Sequence, residues 1–277
     1  MTSKLIPSNP EEVMVIRDIA PNVTTLSVPF LRFGRVKIGG RATIVRLQSG
    51  SLAVFSPVAL TPTVQSKLHS ISPSPPTTYL IAPDMEHHIF LSPWASHFPS
   101  NHVIGPSGLA EKRAQQNAKD KSVTILDFKT IFTPENKLSL KISPEFDAEF
   151  DYEFVDAHPN KELVFHHKPS KTLIEADLIF NLPATEQYSR VPGADATSGW
   201  ATKLFGALQN TKGTAIWQKR VLWYGASAKD RKGFGESLKR INGWGFENLV
   251  PCHGDVILGE GKKVFEKVAE WHLEGKK

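Results

Sequence analysis

Between Arg41 and Phe128 the chain repeats one arrangement: a short apolar run, a polar or Pro/Gly-rich break, a stretch with helical spacing, and another short apolar run. It begins with a hairpin. Arg41–Gln48 (RATIVRLQ) and Leu52–Val58 (LAVFSPV) are rich in β-branched residues and are split by Ser49-Gly50-Ser51, which is turn chemistry. Thr61 to Ser70 then places Val64, Leu68 and Ile71 at helical spacing behind Thr61 or Thr63 as N-cap, and Ser72 to Pro76 stops it. Thr78–Pro83 (TYLIAP) reads as a buried strand, Ile89 to Pro99 as a helix with one apolar face, and His102–Pro106 as a strand. Gly108 to Lys119 reads as a polar surface helix, and Val123–Phe128 (VTILDF) as one more strand. Strand–helix–strand order of this kind demands crossover helices packed on a sheet.

From Leu138 to Phe180 the pattern changes to strands: LSLKI, DAEFDYEF, ELVFHH and KTLIEADLIF, the last two separated by a turn at Lys168-Pro169-Ser170. In Asp147–Phe154 the period of two puts Phe150, Tyr152 and Phe154 on one side and the acids on the other, a half-buried antiparallel strand. The last third is helical (Thr197 to Asn210, Thr214 to Tyr224, Lys229 to Asn242), then come a strand ending at Cys252, the loop His253-Gly254-Asp255, and a helix from Glu260 to Leu273. There is no internal repeat. The expectation is one domain over residues 1–277 with residues 1–20 extended, built as two packed sheets with helices outside.

Composition removes several alternatives. A charged fraction of 22% with 40% hydrophobic residues excludes a disordered chain. The lone Cys252 excludes a disulfide within the chain and a cysteine-based zinc knuckle, and it suits a reducing compartment. No apolar run approaches the roughly eighteen residues that cross a bilayer, and MTSKLIPSNPEE has no apolar leader core. A cytoplasmic protein with no membrane partner is expected. The formal charge of +5 is mild, and the basic residues between Lys219 and Arg240 read as a solvated helical surface, so nucleic acid is not the expected partner. Trp200, Trp217, Trp223 and Trp244 read as core or pocket wall. Oligomeric state is not legible.

Four polar features fall where strands end, the usual place for ligands in α/β proteins. Asp84-x-Glu86-His87-His88 follows the strand Thr78–Pro83, and imidazoles beside carboxylates suit zinc or iron; the plain alternative is a solvated turn. Asp177 interrupts an apolar run, which is costly for a charge unless it is paired or metal-bound, with Glu175 on the same face. His253-Gly254 follows a late strand, and the glycine gives the backbone freedom beside the ring. His166-His167 ends another strand, where adjacent residues point to opposite faces, so at most one serves a given site.

Taken in order, the hairpin at 41–58, the segment IAPDMEHHIFLSPWASHFPSNHVIGPSG, the strand end IEADLIF and the loop VPCHGD resemble the metallo-β-lactamase superfamily, from about Arg41 to the final helix. The second motif is degenerate, APxxxHH: Pro83 and Met85 stand where the family has its first two histidines. The resemblance implies a four-layer αββα sandwich, loss of the first of two metal sites, and a single zinc or iron ion held by His87, His88, Asp177 and His253. It further implies hydrolysis of an ester, thioester, amide or phosphoester of a small molecule, with Asp84 or Glu86 accepting a proton. A fold without catalysis, used for binding, and a metal-dependent oxidoreductase are the alternatives. Asp84 and His167 are reserve candidates for orienting or replacing a ligand, Cys252 stands beside one, and the long segment Pro183 to Gly199 is either a lid or a surface excursion.

Overall fold

The computed structural model describes residues 7–276. Of the stretch expected to be extended, residues 1–6 lie outside the described residues, Pro10–Val13 form a helical turn (α1), and Val15–Ala20 form a strand (β1). Strand β1 pairs antiparallel with β2 (Val23–Val28), a hairpin that precedes the expected one. A small pair, β3 (Leu31–Arg32) and β4 (Val36–Lys37), leads into β5 (Gly40–Arg46) and β6 (Leu52–Phe55), which form the antiparallel hairpin read from the sequence. Then α2 (Pro62–Ile71), β7 (Thr78–Ile81), α3 (Leu91–His97), β8 (Asn101–Pro106), α4 (Leu109–Lys119) and β9 (Phe128–Phe132) alternate, and β6 to β9 run parallel. The result is a seven-stranded sheet in the order β1-β2-β5-β6-β7-β8-β9.

The second sheet has four strands in the order β10-β11-β12-β13. Helix α5 (Pro144–Glu149) leads into β10 (Phe150–Val155), followed by β11 (Glu162–His167) and β12 (Thr172–Ile174). After α6 (Thr185–Tyr188), α7 (Trp200–Leu208), α8 (Ile216–Val221) with a π-turn at Leu222–Ala226, and α9 (Arg231–Asn242), strand β13 (Asn248–Val250) joins parallel to β12; α10 (Gly261–Leu273) closes the fold.

Period-two alternation builds the layers. Ile44, Val54 and Leu80 point to one side of the first sheet, where Val64, Leu68 and Trp94 of α2 and α3 cover them. Their neighbours Val45, Ala53, Phe55, Tyr79 and Ile81 point inward and meet Phe150, Phe154, Leu163 and Phe165 of the second sheet. Behind that sheet Val164, Leu173 and Leu249 pack under Phe234, Leu238 and Phe265 of α9 and α10. This is the expected αββα sandwich. Among the described residues no helix is long and apolar enough to cross a membrane.

Five local expectations are corrected. The strand placed at Val123–Phe128 starts only at Phe128, because the Thr124 backbone is engaged elsewhere: its carbonyl accepts from Arg113 (3.0 Å) and its N–H donates to Ser92 Oγ (3.0 Å). Leu138 to Ile142 is not a strand, and Asp147 to Glu149 belong to α5, which Ser143 caps by accepting from Phe146 N with Pro144 in the first turn. The acid face of β10 is not all solvated: Glu153 is buried under α9 and accepts from Ser237 Oγ (2.7 Å) and Arg240 (2.6 Å). Trp200 and Trp217 are 77% and 50% exposed, so they are neither core nor pocket wall.

Candidate metal centre

Strands β7, β12 and β13 all end at the same edge of the sandwich, and their loops bring Asp84 to His88, Asp177, and Cys252-His253 together. Asp84 is fully buried, and its Oδ1 accepts from the N–H groups of Glu86 and His87 (both 2.7 Å) and from His87 Nδ1 (2.9 Å). One carboxylate oxygen therefore shapes the turn and fixes the ring. His87 Nε2 then faces His253 Nε2 at 3.1 Å. The second ring is fixed as firmly, since His253 Nδ1 donates to Gly39 O (2.7 Å) and its face stacks on Phe180 at 4.9 Å. His253 Nε2 also lies 3.2 Å from Asp177 Oδ1. Asp177 Oδ2 accepts from Asn160 Nδ2 (2.6 Å), with the Arg32 guanidinium 3.9 Å away.

The donor chemistry tests whether a cation fits. With both Nδ1 atoms committed to acceptors, the neutral rings turn two Nε2 lone pairs toward each other. That contact is repulsive unless a proton or a metal ion lies between. Nearby, Asp84 Oδ2, Glu162 Oε2 and Asp177 Oδ1 are buried and accept no hydrogen bond among the described residues. Buried oxygens of this kind call for positive charge. Burial disfavours the imidazolium of His87, but Asp84, the Cys252 sulfur and Asp177 outweigh it and hold its pKa well above the ordinary value. Burial would raise Asp177; His253, His87 and Arg32 instead hold it well below the usual carboxylate range. Glu162, which accepts from the N–H groups of Ala176 (2.7 Å) and Asp177 (3.1 Å), is pushed well up by burial and by Asp84, Glu175 and Asp177. The residues fit a single cation.

Cys252 belongs to this cluster. Its ligand atom and those of His87 and His253 lie within 4.8 Å of one another; a second group meeting the same limit is Asp84, His87 and Asp177. Burial raises the thiol pKa, but His87 and His253 overcompensate and bring it to about 7.

The other expected residues are placed elsewhere. His88 is not brought to the cluster: Arg113 reaches its Nδ1 (3.2 Å) and donates to its carbonyl (2.9 Å), and burial with Arg113 lowers its pKa to about 4. Glu86 is turned to Lys112 at 2.9 Å with its side chain 56% exposed, whereas Asp84 orients His87 through Oδ1 and keeps Oδ2 buried without a partner among the described residues. His166 pairs with Asp151 (3.0 Å) and stacks on Trp244, and His167 meets Ser170 Oγ (2.6 Å) and Glu149, so both serve the fold. Glu175 caps the turn after β12 by accepting from Leu178 N (2.9 Å) and Ile179 N (3.2 Å).

Two residues that sequence reasoning missed hold the histidine loop. Arg41 is fully buried and donates to Pro251 O (2.6 Å) and Gly254 O (2.7 Å), bracketing Cys252-His253. Gln187 donates to Cys252 O (2.7 Å) and accepts from Gly254 N (3.0 Å). The segment Pro183 to Gly199 is thus a clamp under the loop rather than a lid. The only sequence signal for Arg41 is a charge inside a β-branched run; for Gln187 there is none.

A cavity of about 340 Å³ reaches His87, Cys252 and His253. Its walls are largely apolar, among them Val28, Phe30, Val58 and Phe90, with Arg32 and the 79%-exposed Phe33 where β3 turns toward β4.

Residues 31–191 match the profile of DUF4336, a domain of unknown function. No curated protein matches the chain in sequence. Among solved structures, the chain is similar to the metal-soaked Flv1 flavodiiron core from Synechocystis sp. PCC6803, at 13% identity and a TM-score of 0.60 over 94% of this chain. It spans 61% of that protein's length. It is similar to the metallo-β-lactamase from Pontibacter korlensis at 9% identity and a TM-score of 0.53, covering 93% of this chain and 99% of the other. The metallo-β-lactamase from Hirschia baltica gives 10% identity and 0.51, covering 94% and 97%. At these identities the likeness establishes the fold, that of the metallo-β-lactamases.

Proposed function

The chain belongs to the DUF4336 family and has a divergent metallo-β-lactamase fold, and from that premise we propose that it is a metal-dependent hydrolase of a small, largely apolar molecule, working with one ion. The observation that carries this is the pair of facing Nε2 atoms of His87 and His253, each with its Nδ1 already committed. His87 and His253 would hold the ion, with a third donor beside them in Asp177 or Cys252. When bound, a zinc or iron ion supplies Lewis-acid charge that acidifies water and polarises a scissile oxygen.

The protein's own residues do the rest. Asp84 keeps the His87 ring in one tautomer, and Gly39 O does so for His253. With Cys252 as that donor, Asp177, whose Oδ1 accepts no hydrogen bond among the described residues, orients a water by accepting from it, while Asn160 holds its other oxygen. The apolar cavity excludes bulk water and takes the body of the substrate, and Arg32 at its edge draws a substrate anion.

The test is metal analysis of protein purified without an affinity tag, beside His253→Ala. About one zinc or iron per chain, lost in the variant, supports the centre; turnover of ester, thioester or phosphoester substrates that disappears with the metal supports hydrolysis. Metal at full occupancy with no turnover across those classes returns the fold to a binding role. Failure to take up zinc or iron overturns the centre.

A further inference from the structure

Two candidates compete for the third donor position, and geometry separates them. We infer that Cys252 is the third protein ligand, so that the centre is a thiolate with two imidazoles, and that Asp177 stands beside it as a water-orienting carboxylate. This rests on the reading of the site as a metal centre and names its ligand set.

Tetrahedral zinc with bonds of about 2.0–2.1 Å to nitrogen and about 2.3 Å to sulfur places two nitrogens roughly 3.3 Å apart, and nitrogen and sulfur roughly 3.6 Å apart. His87 Nε2 and His253 Nε2 are 3.1 Å apart, close to that edge. The Cys252 sulfur lies within 4.8 Å of both, so a small movement closes the triangle. Asp177 Oδ1 lies 3.2 Å from His253 Nε2, but Asp177 is grouped with Asp84 and His87 and not with both histidines, and its Oδ2 is already occupied by Asn160.

Adjacent residues in extended chain point apart, so convergence of Cys252 and His253 on one place must be imposed. The chain does so by bending at Cys252 and His253, and Gly254 beyond them has φ 89°. Arg41 and Gln187 then hold it at Pro251 O, Cys252 O, Gly254 O and Gly254 N. The sulfur itself is held in place by the Arg41 backbone, whose N–H and carbonyl oxygen both lie 3.4 Å from it. A disulfide within the chain is not available to this thiol, since Cys252 is the one cysteine. Cys252 thus takes the coordination place that the sequence resemblance gave to His88. A thiolate donor makes the centre selective for a thiophilic ion such as zinc over magnesium, calcium or manganese.

Cobalt(II) substitution reads the donor directly. One equivalent added to the metal-free full-length protein is expected to give d–d bands together with a near-ultraviolet sulfur-to-cobalt charge-transfer band. Cys252→Ser should lose the charge-transfer band and bind cobalt more than about a hundredfold more weakly, beyond the roughly ten- to hundredfold loss typical of an outer partner. Asp177→Asn should keep the band. Circular dichroism establishes that each variant is folded. Independently of any variant, one equivalent of zinc should protect Cys252 of the native protein from a thiol-modifying disulfide reagent. A wild-type spectrum with d–d bands alone, or loss of the band in folded Asp177→Asn, overturns the ligand assignment and leaves the metal centre standing. No cobalt or zinc uptake at all overturns both.

Discussion

Gly254→Ala tests whether the histidine loop is built as described. Gly254 has φ 89°, and a Cβ there would lie 2.2 Å from Asn181 O and 2.3 Å from Asn181 C. The left-handed conformation alone costs a non-glycine residue about 1–2 kcal/mol. The overlap cannot be relieved by turning a side chain, because the atoms struck are backbone and are tied by the bridge between Asn181 and Gly254. Moving the loop weakens hydrogen bonds to Arg41, Gln187 and Ile38, each contributing about 1 kcal/mol or more. The total is about 3–5 kcal/mol, which lowers the melting temperature by roughly 6–15 °C in a chain of this size. Thermal unfolding by circular dichroism reads it, with Gly245→Ala as control. Gly245 has no atom within 4 Å of an added Cβ, so its change should stay within about 0.5 kcal/mol. Equal melting temperatures for Gly254→Ala and wild type would refute the loop geometry.

His88→Gln should leave metal content unchanged while lowering stability by about 1–2 kcal/mol, because buried Arg113 loses a partner; loss of metal in urea-stable protein would return His88 to the ligand set. Stability should fall as pH drops from about 6.5 toward 4. His88 and His272 are both lowered to about 4, mainly by burial, so the unfolded chain binds protons in that window before the folded one does. The stabilisation is complete above the unfolded value and lost as pH falls through the folded one. His272→Gln, distant from the centre, should flatten this acid limb in urea titrations, and an unchanged limb would contradict the burial of that ring.

The layers were legible because strands alternate. Ile44 against Val45, and Leu80 against Tyr79, assign each side chain to a core without knowledge of the partner. Boundaries failed where a side chain competed for the backbone, as Ser92 and Arg113 do at Thr124 and Ser143 does before α5. At the centre, strand-end position together with the family resemblance picked out His87, Asp177 and His253. It could not say which of two adjacent histidines turns inward. That choice is made by Asp84 pulling on His87 and Arg113 on His88, a residue 25 positions away. Cys252 reads from the sequence as a buried thiol beside a ligand, because nothing in the sequence shows that the clamped loop turns two neighbouring residues to one place.

The reach of Arg41 has a consequence for the order of events in synthesis. Its guanidinium joins β5, made early, to carbonyls 210 and 213 residues further on. Until those residues leave the ribosome, Arg41 has neither carbonyl to hold, and His87 has neither His253 nor Cys252 opposite it. An ion held between His87 and His253 could therefore not organise the chain while it is still being made.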